Sequence, residues 1–267
     1  MPTTAILRMR ALRDGRPPRS IHGLLHPALL ERMRAADPEV SRNVHDGAAP
    51  GAFALSPLMR LRKNLREGDA CWARVGLLNA EMEDLFLSTL ENGAWREPVA
   101  LGDYPFQISE VILGARDGES WSGQVRFEEF VENTIPIDHA DVEIASPLAF
   151  KRGDLHYPVP EPELFFGNLL RRWNDVAPIP LPRALEWEAV GISRLDLRTE
   201  PFALRRGGTV VGCLGRVRFV FRCDPAQQYL FHLLLRFAFF AGVGVKTAQG
   251  MGMCRMFQWE KGHGRRR

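Results

Sequence analysis

The segment Ala241 to Arg255, AGVGVKTAQGMGMCR, concentrates residue types that hold phosphate groups. Gly242, Gly244, Gly250 and Gly252 would let a backbone run close to an anion with its N–H groups exposed. Lys246 and Thr247 add a cation and a hydroxyl at the centre of the run. A nucleoside-triphosphate loop needs G-x-x-x-x-G-K-[ST] between a strand and a helix. Here Val245 precedes the lysine, a helical pattern comes before the loop and a strand pattern after it. Spacing and context both speak against a triphosphate site, which leaves a phosphate contact or a solvated loop lysine for Lys246.

Proton transfer near neutral pH calls for imidazole. His45 adjoins Asp46, and a helical turn through Val40 and Val44 would end at it. The helix dipole and Asp46 would then both favour the imidazolium form. Its neighbours alone equally suit a surface histidine capping a helix end. His22 and His26 lie four apart, without the glutamate of H-E-x-x-H and without a third ligand, so no metal and no cofactor are expected. Cys71, Cys213, Cys223 and Cys254 form no C-x-x-C pair, which argues against a disulfide scaffold and a zinc knuckle.

The basic residues are unevenly chosen. Of 35, all but Lys63, Lys151, Lys246 and Lys261 are arginine, yet the net charge is only +3. Arginine suits phosphates and base stacking, although GC-rich coding gives the same bias. Arg216, Arg218 and Arg222 recur at even spacing, which places all three on one face of a strand. Arg194, Arg198, Arg205 and Arg206 fall on the partner strand or turn. Phe219 and Phe221 alternate with them, so at least one belongs to the core.

These residues need a scaffold, and 267 residues with 45% apolar content suffice for two domains or one large one. Ala5, Leu7, Met9 and Ala11 alternate with Arg8 and Arg10 as a half-buried strand does. Leu25, Leu29 and Met33 predict an amphipathic helix. Strands are expected over 52–62 and 70–79, a helix over 80–91, and a strand over 106–113. The pattern then recurs: a strand over 142–150, a helix opened by Pro162, a hairpin of 190–205 and 209–222 around Gly207-Gly208, a helix from Asp224-Pro225 to Ala241, and a strand over 251–259. This is the α+β βαββαβ order taken twice, two tandem ferredoxin-like (RRM-like) domains side by side. The expected boundaries are 1–135, 136–260 and a basic tail, 261–267. No secretory signal pattern is read at the N-terminus. The most apolar stretch, Tyr229 to Val245, contains His232 and Arg236 and is short for a bilayer. The expectation is a cytoplasmic protein with no membrane partner, monomeric or homodimeric.

The glycine-rich run resembles the C-terminal loop of the CRISPR-associated endoribonucleases of the RAMP superfamily, which process precursor CRISPR RNA. Ser146-Pro147-Leu148-Ala149-Phe150, Pro158 through Pro162 and Leu169-Leu170-Arg171-Arg172-Trp173-Asn174 look like the start of that family's second domain. Val44-His45-Asp46 and Phe53 through Leu58 look like its N-terminal region. The resemblance implies two ferredoxin-like domains and metal-independent cleavage within the repeat. The 2′-hydroxyl attacks the scissile phosphate and leaves a 2′,3′-cyclic phosphate. It makes His45 the catalytic candidate and CRISPR repeat RNA the partner, with effector-complex subunits as further partners. Lys63 and Arg42 become candidates for the electrostatic role, because the first hundred residues lack the tyrosine that the family often adds. His22 is a second, weaker candidate for the chemistry, expected to face solvent or cap the first helix. The competing expectation is a non-catalytic RAMP subunit that binds guide RNA. An unrelated RRM-type binder would need an aromatic strand signature that the sequence lacks.

Overall fold

The computed structural model describes residues 1–36 and 52–258. The first half opens with β1 (Thr3–Ala11), a 3-10 turn (Arg19–Leu24) and α1 (Leu25–Ala36). Then come β2 (Phe53–Leu55), β3 (Ala70–Leu77), α2 (Ala80–Glu91), β4 (Val99–Leu101) and β5 (Tyr104–Leu113). The sheet order is β2-β3-β1-β5-β4, antiparallel throughout. Without its added edge strand β4, this is the ferredoxin-like order. The alternation in β1 decides its faces: Ala5, Leu7, Met9 and Ala11 pack under the helices, while Arg8 and Arg10 stay exposed on the other side. α2 starts where Asn79 accepts the Met82 N–H at 2.9 Å, an N-cap that replaces a missing intrahelical bond.

A short α3 (Phe127–Glu132) leads to β6 (His139–Leu148) and a small hairpin, β7 (Phe150–Arg152) with β8 (Leu155–Tyr157). α4 (Pro162–Val176), β9 (Val190–Ala203), β10 (Thr209–Phe221), α5 (Pro225–Ala241) and β11 (Cys254–Phe257) complete the described chain. Their sheet order, β11-β6-β10-β9, repeats the ferredoxin-like arrangement. Pro162 and Pro225 occupy first-turn positions, where the absent N–H costs nothing. Asp224 caps α5 by accepting the Gln227 N–H at 2.8 Å. Phe219 and Phe221 are both core residues, packed on Phe166 from α4 and Phe231 from α5. No helix among the described residues is long and apolar enough to cross a membrane.

Two strand expectations are corrected. The strand expected over 52–62 is interrupted: β2 ends at Leu55, Pro57 has no N–H to give, and pairing with β3 returns only as a single bridge of Met59 with Trp72 before Arg60 turns into the left-handed region at φ 62°. The final strand starts at Cys254, not 251, because Gly252 and Met253 donate instead to the Pro147 carbonyl and the Ser146 hydroxyl.

The halves meet through backbone. A Cβ at Gly76 of β3 would collide with the Phe240 carbonyl near the end of α5. Beside it, the buried Arg74 guanidinium lies 4.9 Å from the Phe239 ring and 5.3 Å from that of Trp121, where burial lowers its pKa to about 10. Among the described residues, its Nε and Nη1 have no hydrogen-bond partner. Gly76→Ala should destabilise the protein by about 2–3 kcal/mol, since the added methyl faces backbone that cannot rotate away. Chemical denaturation of the full chain measures it, and a change below about 0.5 kcal/mol would mean that the seam is loose.

Candidate nucleic-acid interface

The stretch after β2 touches β3 only through the bridge of Met59 with Trp72, and it lines a concavity. Pro57 to Lys63 face the 3-10 turn on one side and Ser146-Pro147 with the end of β9 on the other, around roughly 640 Å³. Lys63, Arg19 and Arg60 are exposed there and have no ion-pair partner among the described residues. Arg62 lies beside them, paired with Asp69 at 3.0 Å. Arg60 also borders a second concavity of roughly 960 Å³ on the open face of the first sheet, lined by Arg8, Arg10, Trp72, Glu110, Glu119 and, from the second sheet, Arg255. The two concavities meet at the Arg60 side chain.

His22 lines the first concavity and differs from the solvated histidine expected. Its Nδ1 accepts the Leu58 N–H at 3.1 Å, and its ring lies 6.3 Å from that of Phe202. Burial pushes its pKa down to about 4. At neutral pH it is a neutral imidazole with its proton on Nε2. His26 instead stacks on Phe53 at 5.6 Å. Nothing in the local sequence marks His22, because the contact that defines it joins residues 22 and 58.

On either side of Lys246-Thr247, the glycine-rich loop departs from the expectation of bare N–H groups. Val243 donates to Gly252, Val245 to Ala149, Gly252 to Pro147 and Gly244 to the Asn168 side chain, all at 2.9 Å. A Cβ on Gly244 or Gly252 would strike the Ala149 or Val243 carbonyl, and one on Gly250 would press on the Pro57 backbone. Gly242 sits at φ 65° where the chain leaves α5. These glycines fit the loop to its own protein. Thr247 is buried, and its hydroxyl accepts from Arg172 at 2.8 Å; the same guanidinium reaches the Ala241 and Gly242 carbonyls. Only Lys246, at φ 58°, turns outward, into a third concavity shared with Lys151 and Arg171.

The arginine row on β10 is divided. Arg216 and Arg218 do share the face away from the helices, and Arg222 lies just beyond the strand. Arg218 is held in a two-pronged pair with Asp141 at 2.6 and 2.7 Å, while Arg216 lies over the Phe257 ring at 4.9 Å. Arg222 is exposed near Asp138. His45 and Arg42 lie outside the described residues, as does the basic tail.

Residues 142–254 match the family model for the CRISPR-associated endoribonuclease Cas6. A curated Cas6 of that description from Mycobacterium tuberculosis is 31% identical over 120 residues, covering 43% of this chain and 38% of the relative. The match therefore spans well under half of that relative's length. A product complex of Thermus thermophilus Cas6 superposes with a TM-score of 0.81 at 25% identity, covering 96% of this chain and 99% of that one. A second Cas6 product complex is 31% identical, with a TM-score of 0.74, covering 97% and 100%.

The half-buried His22 makes an acid-stability prediction. Its folded pKa lies below the ordinary value of 6.5, so the unfolded chain takes up a proton that the folded chain refuses. Stability should fall as pH drops from about 6.5 to about 4, by on the order of 3 kcal/mol from this residue. His22→Gln keeps an acceptor for Leu58 without titrating. Urea unfolding of both proteins at neutral pH and near pH 4 should show the smaller acid loss in the variant. Equal losses would mean that His22 titrates as a free imidazole.

Proposed function

The chain belongs to the Cas6 family of CRISPR-associated endoribonucleases, and from that premise we propose that it binds the repeat of precursor CRISPR RNA and cuts it into guide RNAs without a metal. The observation that carries the reading is the basic cleft at the seam. Lys63, Arg19 and Arg60 meet there with an imidazole, next to the stretch that matches the family model. Related Cas6 structures of this shape are a product complex and a substrate mimic complex, which supports the reading.

RNA carries its own nucleophile. The 2′-hydroxyl attacks the adjacent phosphorus, the P–O5′ bond breaks, and a 2′,3′-cyclic phosphate and a 5′-hydroxyl form. The protein must accept the 2′-hydroxyl proton, give one to the 5′-oxygen and hold the two oxygens in line while charge builds on the phosphorane. His45 takes the proton-donating role. His22 cannot act as an imidazolium acid at neutral pH, because burial keeps it neutral. It can still donate from Nε2 to a phosphate oxygen. Lys63 and Arg60 supply fixed positive charge for the phosphorane, and Arg42 assists. Lys246 binds the RNA backbone at a distance from this chemistry, and Arg216 and Arg222 add to the basic surface.

Labelled repeat RNA incubated in EDTA should be cut. His45→Ala should lower the single-turnover rate by roughly 10²–10⁴-fold with binding retained. A 2′-deoxy substitution at the cut site should abolish cleavage. Tight binding with no cleavage by the native protein would instead establish a non-catalytic RAMP subunit. Lys63→Ala should slow cleavage roughly tenfold or more and lower the salt dependence of binding by about one charge. An unchanged rate and salt slope would remove Lys63 from the site.

A further inference from the structure

Among the described residues, Lys246 and Arg60 have a left-handed backbone without being glycine, Lys246 at φ 58° and ψ 29°. A Cβ makes that conformation unfavourable, and glycine or asparagine would have avoided the cost. Glycine does stand at 242, 244, 250 and 252, where the loop packs against carbonyls, but not at 246. A lysine kept in a strained conformation marks a position where the side chain itself matters, and its surroundings must hold it there.

The holding bonds lie on both sides of it. The Lys246 carbonyl accepts the Gln249 N–H at 2.8 Å and the Met251 N–H at 3.3 Å. Arg172 of α4 donates to the Thr247 hydroxyl at 2.8 Å. Upstream, the Val245 N–H donates to the Ala149 carbonyl at 2.9 Å. The weak point is Gly244, at φ 87°, two residues before the lysine, because no side chain restricts its rotation. There the Asn168 side chain accepts the Gly244 N–H at 2.9 Å. Asn168 stands one turn before Arg172 on α4, so neighbouring positions of one helix grip the loop before and after Lys246. Held in this way, Lys246 shares a concavity of roughly 870 Å³ with Lys151 and Arg171, all three exposed, while the acid lining it is Glu163. Like charges gathered in one concavity repel one another, and a backbone phosphate is the ligand that relieves the repulsion.

On the reading that Lys246 contacts the RNA backbone, we propose that Asn168 is a positioning residue for RNA binding: by fastening Gly244 it fixes Lys246 in the concavity with Lys151 and Arg171. Asn168 carries no charge and its amide oxygen is committed to Gly244, so it acts through the lysine.

Equilibrium binding of the full chain to repeat RNA with a 2′-deoxy cut site, followed as a function of salt, tests it. Lys246→Ala should weaken binding and lower the slope of log affinity against log salt by about one charge. Asn168→Leu removes an acceptor and no charge, yet should lower the slope by most of the same amount, and Asn168→Ala should do likewise. A residue needed only for folding would not move that slope in a protein whose circular dichroism melting shows it folded. In the Lys246→Ala background, either Asn168 substitution should have no further effect, the non-additivity of two residues acting as one. Lys246→Ala with an unchanged slope would overturn the reading of Lys246 and the inference with it. A slope lowered by Lys246→Ala but untouched by both Asn168 variants would overturn the inference alone. So would an Asn168 effect that persists in full without Lys246.

Discussion

Two ferredoxin-like units can sit side by side in many ways, and here the choice is made by peptide groups touching peptide groups. β3 approaches the end of α5 so closely that Gly76 has room for a hydrogen and nothing more. Arg172, buried on α4, gathers the last carbonyls of the same helix. A helix end leaves carbonyl groups without intrahelical partners, and burying them bare would be expensive. The guanidinium removes that cost at the place where the halves join. The Arg74 stack with Trp121 and Phe239 adds attraction across the seam but leaves two nitrogens unsatisfied among the described residues. The backbone contact fixes position, and the arginines make the position affordable.

The 35 basic residues are nearly matched by 32 acidic ones, and the contacts show where many of the arginines are committed. Arg218 is committed to Asp141, Arg255 to Glu143, and Arg8 to Glu110 and Glu119. Arg74 and Arg172 are spent inside. Much of the charge on the sheet faces is thereby paired, while Arg19, Arg60 and Lys63 outnumber Glu200 in the cleft, and Lys151, Arg171 and Lys246 outnumber Glu163 around the loop. A polyanion sees local potential, not net charge, so the paired arginines sharpen the cleft by quieting its surroundings.

Much of the fold was legible because its local signals agree. Pro162 and Asp224-Pro225 start helices where the residues permit nothing else as well, and the alternation in β1 and β10 sorts core from surface correctly. The cleft was less legible. Lys63 and the glycine-rich loop could be singled out by type, but that His22 is held against the protein depends on a bond to residue 58, and the meaning of the loop glycines depends on carbonyls at 149 and 243. An even-numbered row of arginines on β10 was visible, whereas Asp141, which neutralises the middle one, comes from a strand 77 residues away in sequence. Periodicity tells which face a residue takes; it does not tell what waits there.

The glycine-rich loop shows the difference most clearly. A run of glycines around a lysine suggests a cradle for an anion, yet the N–H groups of Val243, Gly244, Val245 and Gly252 turn inward to Pro147, Ala149, α4 and the loop itself. Its glycines let it thread between Pro57 and the end of α5, so the loop touches the wall of the cleft without supplying the floor. It follows that the loop governs the cleft through position. Whatever shifts Gly250 shifts Pro57, and with it the turn that carries Arg60 and Lys63. The conformational freedom of the loop thus serves electrostatics at one remove, by holding cations of the first half against the sheet of the second.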